Sequence, residues 1–225
     1  MFVQPSLPAA RSKVLDRGAG AKRGRGLKNN EKIIEARKAL RNFLQGTDKK
    51  LEIAIDCPAK DRIRFIYSII FPGLHKARFY WRFFIARIAY FIDFSPIKVF
   101  LYRSIGMKIG KGAFISPGVI LDPHFPGLID IGDYAIIGWG THLFTHEFTG
   151  DKYTAGRIRI GSGAVIGGFS IIRGGVTVGD NAQIASTCIV YKDVPQNYYL
   201  DSVVLLNRAL VDVYRKEKEN HAADI

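Results

Sequence analysis

Acidic residues are scarce in this chain, and so are cysteines and long apolar runs. Among 225 residues, 20 Asp and Glu stand against 33 Lys and Arg, a net charge of +13 at pH 7. That balance favours anionic partners such as nucleic acid, an acidic lipid surface or phosphorylated ligands. The two cysteines, Cys57 and Cys188, form neither a CxxC nor a metal-spacing pattern, and free thiols suit a reducing compartment. No uninterrupted apolar stretch approaches the ~18–20 residues of a membrane-spanning helix. No apolar segment follows Met1, so no secretory signal is expected. The basic residues match no RNA- or DNA-binding motif, which argues against nucleic acid. What is abundant is apolar side chain, at 48% of residues, and glycine, at 23 positions. The chain can bury a core and is rich in turns.

The organisation changes along the chain. Residues 1–30 carry Arg11, Lys13, Arg17, Lys22, Arg23, Arg25 and Lys28 against Asp16, interspersed with Gly18, Gly20, Gly24 and Gly26. They read as a flexible basic tail, with a transit peptide as the alternative. Residues 31–105 read as helical. Ile33, Ala36, Leu40, Phe43 and Leu44 follow helical spacing after Asn30 as N-cap, and Gly46 ends that helix. Between residues 61 and 105 aromatic and aliphatic residues crowd together with Arg62, Arg64, Lys76, Arg78, Arg82, Arg87, Lys98 and Arg103, and Pro72-Gly73 divides the stretch. Helices of this composition lie in a membrane interface or pack as a cap on the main domain.

From Ile109 a period of six takes over. Aliphatic residues stand at 109, 115 and 121, at 131, 137 and 143, and at 160, 166, 172, 178, 184 and 190. Small residues or valine fall four places later, as at Ala113, Val119, Ala135, Thr141, Ala164, Ser170, Val176, Ala182 and Cys188. Six is neither a helical period nor simple alternation. It is the mark of a parallel β-helix, in which three short strand-and-turn units make one triangular coil and aliphatic residues stack from coil to coil. The domain so defined covers residues 106–197. Two insertions interrupt it, one between Leu121 and Ile131 and one, a loop over 144–159, that carries His146. Insertions in a solenoid project from one face, which is often the functional one. Residues 198–225 read as a C-terminal helix and tail, with Asp201 or Ser202 as cap and Leu205, Leu206, Ala209, Leu210 and Val213 as apolar face.

The repeat, the histidine-bearing loop "FTHEF" and the segment "VTVGDNAQI…KDVP" resemble the left-handed β-helix acyltransferases. The maltose/galactoside O-acetyltransferase branch is the most similar, and within it the members of polysaccharide biosynthesis. The resemblance covers about residues 101–197. It implies a mainly β fold, a left-handed parallel β-helix of hexapeptide repeats with N-terminal helices and a C-terminal helix. It implies a homotrimer, acetyl-CoA as co-substrate without a metal, and as acceptor a hydroxyl of a sugar or of a polysaccharide or lipid-linked saccharide precursor; the composition adds the expectation of a cytoplasmic protein whose residues 61–105 touch the inner face of an anionic membrane or pack on the β-helix. His146 takes the family's catalytic position. Transfer from a thioester to a hydroxyl needs a base as the hydroxyl attacks, and imidazole suits this near neutral pH. The sequence names no group that orients His146. The resemblance places cofactor contacts at Gly168, Ser186, Tyr191 and Lys192, and acceptor contacts at Ser116, Asp122 and His124. Two departures stand out. Val165 replaces a customary tryptophan, and "YYLDSVVLLNRALVDVY" replaces the segment whose arginines grip CoA, with Arg208 as a possible stand-in. The same fold also hosts zinc carbonic anhydrases, for which His124, His142 and His146 would be the ligands. A non-catalytic scaffold is the third reading.

Overall fold

The computed structural model describes residues 13–14, 29–70 and 76–202. The expectations for the basic tail (Lys13–Val14 apart), the Pro72-Gly73 break, Arg208 and the C-terminal helix beyond Ser202 lie outside them. No helix among the described residues is long and apolar enough to cross a membrane.

The chain divides into two compact units, residues 1–72 with 147–155, and residues 73–146 with 156–225. In the first, helix α1 spans Asn29–Gln45 and α2 spans Ala59–Ile70. Ala36, Leu40 and Phe43 of α1 are buried, as are Phe65 and Ile69 of α2. The helical reading of residues 31–105 is corrected here by a strand, Lys50–Ala54. Its residues Leu51 and Ile53 alternate inward, a period-two signal too short to stand out between helices. That strand joins a sheet in the order Lys13–Val14, Lys50–Ala54, Lys152–Gly156, His146–Thr149. The excursion over 144–159 is therefore not an irregular loop. Most of it forms two strands of this sheet.

In the second unit the repeat becomes three parallel sheets, one for each side of a coil. Ile109, Ile131, Ile160 and Val178 pair in one column. Ile115, Ile137, Ile166, Ile184 and Leu200 pair in the second. Leu121, Leu143, Ile172 and Val190 pair in the third. These side chains are almost wholly buried apart from Leu200, so each coil covers the apolar face of the next. Coils stack so closely that certain corners accept only glycine. A Cβ on Gly167 would stand 2.4 Å from the Ser186 amide nitrogen.

Helix α3 runs Lys76–Phe91 and α4 runs Ser95–Ser104. The first coil would otherwise end in unpaired backbone groups, an edge open to unwanted pairing. Helix α4 occupies that edge with polar side chains. The Ile115 amide donates to Ser95 Oγ at 2.8 Å, and Lys98 Nζ donates to the Ser116 carbonyl at 2.7 Å. Arg103 donates to the carbonyls of Ile109 and Gly110. Lys98 is fully buried, and burial lowers its pKa from the usual lysine value, partly offset by Asp93. Of the two fates expected for the basic-aromatic stretch, the inner face of α4 takes the role of cap.

Candidate active site

Both insertions leave the β-helix at one corner. Each follows the third-column residue of its coil, Leu121 or Leu143, and ends before the first-column strand of the next. Because Leu121 pairs with Leu143, residues 22 apart stack, and the first residues of the two insertions are neighbours. Asp122 and His124 come from one insertion, Thr145 and His146 from the other.

Asp122 is 3% exposed and accepts from both sides. Its Oδ1 receives the His124 amide at 2.9 Å and His124 Nδ1 at 3.0 Å. Its Oδ2 receives the Thr145 amide at 3.1 Å, Thr145 Oγ1 at 2.5 Å and His146 Nδ1 at 2.5 Å. Burial by itself would push the Asp122 carboxyl up. The hydrogen bonds from His124 and His146, the His146 charge and the Thr145 hydrogen bond outweigh it and hold the group well below the usual carboxylate range. Asp122 is therefore ionised at neutral pH and can only accept. Each facing Nδ1 must then carry a hydrogen, so in a neutral His146 the basic nitrogen is Nε2.

The two imidazoles meet edge to face, with ring centroids 4.4 Å apart. Phe125 packs against His146 at 5.6 Å. Phe79 and Phe83 of α3 pack against His124 at 5.4 and 4.7 Å. The histidines are thus held in an aromatic cage, partly exposed, with a buried anion behind them. An imidazole held this way can take a proton from an incoming hydroxyl, with the carboxylate stabilising the imidazolium that forms.

The other anticipated residues are distributed by the same geometry. Asp122 does not present its carboxylate to a substrate, as an acceptor-binding role would need, because all its oxygens serve protein donors. Tyr191 and Lys192 follow Val190, at the corner of the insertions but on a later coil, and both are exposed, with Lys192 Nζ 5.8 Å from the Tyr191 ring centroid. Gly168 and Ser186 lie between the second and third columns, at a different corner, and Ser116 begins that corner in the first coil. Ser116 engages Lys98 and Ile137 through its backbone. Gly168 has a structural reason of its own, since a Cβ there would stand 3.0 Å from the Trp139 carbonyl. His142 does not join His124 and His146. It lines a separate depression of about 290 Å³ with Tyr90, Trp139 and Phe169, its ring against Phe144 at 5.3 Å. Among the described residues the donor atoms that could share a cation belong to Asp122, His124 and His146, within 4.8 Å of one another. The three-histidine zinc set is not assembled within the chain.

Sequence reasoning left the partner of His146 unnamed. That partner, Asp122, lies 24 residues earlier, at the start of an insertion whose path the repeat does not set.

Comparison with known proteins agrees with this architecture. The family described as "Bacterial transferase hexapeptide (six repeats)" matches residues 157–192. The Bacillus subtilis (strain 168) protein named "Putative acetyltransferase YvoF" is 34% identical over 119 residues, 52% of this chain and 69% of that protein. "Putative acetyltransferase SAR0816" of Staphylococcus aureus (strain MRSA252) is 34% identical over 108 residues, 48% of this chain and 67% of that protein. The crystal structure of the hexapeptide-repeat acetyltransferase VCA0836 from Vibrio cholerae superposes with a TM-score of 0.50 at 21% identity, over 57% of this chain and 87% of that one, a likeness of fold. The chain belongs to the hexapeptide-repeat acetyltransferase family.

Proposed function

We propose that this protein is an acetyl-CoA-dependent O-acetyltransferase in which His146 is the general base and Asp122 its positioning residue. The observation that carries the reading is the bond from His146 Nδ1 to the buried, ionised Asp122, which puts the ring proton on Nδ1 and makes Nε2 the basic nitrogen. The hydroxyl attacks the acetyl thioester carbon as His146 removes its proton. The tetrahedral intermediate then collapses, expelling the CoA thiolate, and the imidazolium returns the proton to that sulfur. No serine or cysteine nucleophile is required.

A left-handed winding and a cytoplasmic homotrimer belong to the same reading. Gly168, Ser186 and Ser116 stand at a different corner from His146 within one chain. A groove between neighbouring copies would unite such corners, with acetyl-CoA lying along it and Tyr191 and Lys192 near its phosphates. His124, beside His146 and partly exposed, contacts the acceptor, for which a sugar or saccharide hydroxyl is the leading class.

The test is His146→Ala, assayed with labelled acetyl-CoA against a panel of hydroxyl acceptors read by mass spectrometry. Turnover should fall by about 10²–10⁴-fold. Intact turnover would remove His146 from the mechanism. Stoichiometric zinc in protein purified without a histidine tag, with hydratase activity, would overturn the acetyltransferase reading.

A further inference from the structure

Helix α3 has two faces of different character. Successive helical residues turn by about 100°, so Phe79 and Phe83 share one side, where they pack on His124. Tyr80, Trp81, Phe84, Ile88 and Phe91 fall in an arc of about 100° on the far side. That far side is in solvent: Trp81 is 56% exposed, Phe84 57% and Phe91 71%. The outer residues of α4 continue it, with Phe94, Ile97 and Phe100 all exposed, Phe100 at 68%. Eight large apolar or aromatic side chains within 21 residues thus face water, far more than a soluble surface ordinarily shows in one place.

The charges beside this patch are predominantly positive. On α3, Arg78 and Arg87 are exposed, and between the two helices the exposed Asp93 is the one acidic residue of residues 76–104. Arg87 stands at the edge of the exposed arc, its Cζ 5.7 Å from the Phe91 ring centroid and 6.0 Å from that of Tyr90. Arg78 lies towards the opposite edge. Neither helix carries an acidic residue. A second copy docking through this patch would set arginine against arginine with Asp93 as the one carboxylate to answer them. Anionic lipid headgroups would answer them, while the rings enter the interface and the arginine stems lie along them.

We propose that the outer face of α3 and α4 docks on an anionic bilayer. Because the inner face of α3 lines the histidine cluster, the acceptor is a hydroxyl on a membrane-anchored molecule. The second statement rests on the acetyl-transfer reading; the first does not.

Full-length protein should co-sediment with vesicles of phosphatidylcholine mixed with phosphatidylglycerol and bind phosphatidylcholine alone weakly. Both the triple variant W81S/F84S/F91S and the double variant R78E/R87E should lose tenfold or more of that binding with unchanged circular dichroism. The docking surface is overturned by absence of binding in the wild type, by undiminished binding in both variants, or by substitutions that dissolve an oligomer while vesicle binding persists. Labelled acetyl-CoA is then supplied with membranes and, separately, with soluble extract of the cells that make the protein. Label in lipid-extractable material is expected. Label confined to water-soluble products overturns the anchored acceptor. Label in neither overturns the acetyl-transfer reading, and the vesicle result still decides the surface.

Discussion

The β-helix has a regular half and an interrupted half. From Ile160 to Val178 one coil takes 18 residues, and the inward positions 160, 166, 172, 178, 184 and 190 follow without a slip. The coil from Ile109 to Ile131 takes 22 residues and the next, to Ile160, takes 29. Both halves bury the same aliphatic columns. Only the interrupted half brings together a buried carboxylate and two imidazoles. Regular repeats supply stacking energy, which needs no particular chemistry at the corners. The insertions lengthen one corner in two successive coils, and this lets unlike side chains meet there without breaking the core.

The largest expected effect lies in the interrupted half. His146→Ala should lower acetyl transfer by about three orders of magnitude while the melting temperature stays near that of the parent. A comparable fall in melting temperature would show that the insertion is structural instead.

Ile166→Ala makes the complementary change in the regular half. Its side chain is fully buried, so the loss should be about 2–5 kcal/mol of stability, read by chemical denaturation. The folded fraction should retain its kcat.

Asp122→Asn keeps the shape but weakens the acceptor and lets the His146 tautomer change. Transfer should drop by about 10²-fold, mainly in kcat. The pH dependence follows from the depressed carboxyl. Its folded pKa lies below the unfolded value, so its contribution is fully present above the ordinary carboxylate range and is lost as pH falls through the folded value. Wild-type stability should therefore decline below about pH 4 more steeply than that of Asp122→Asn, and thermal melts across acid pH should show the two converging.

The smallest effect should come from His142→Ala. Its ring is outside the Asp122 cluster, so activity should change by less than about threefold, as for surface substitutions. A collapse of activity would instead give His142 a place in the groove that unites the two corners of neighbouring copies.

The period of six and the inward side chains were legible in the residues, because stacking one coil on another demands an aliphatic residue at each repeat whatever surrounds it. The histidine-bearing loop was legible too, as a break in that pattern. The partner of His146 was harder to read. Asp122 looks like a residue of a polar insertion until the pairing of Leu121 with Leu143 is known, and an insertion of unstated path conceals that pairing. The strand Lys50–Ala54 was missed because five residues of alternation weigh little between two helices. Helix α4 was legible as apolar and basic, but its polar face meets the open edge of the first coil, and no local signal in either segment announces that match. The sequence by itself determined the solenoid, its columns and the place where it is interrupted, since these depend on short-range periodicity. Only the tertiary structure decided which side chains meet at the interruption, because the bonds of Asp122 to Thr145 and His146, and the tautomer it imposes on His146, join residues more than twenty positions apart.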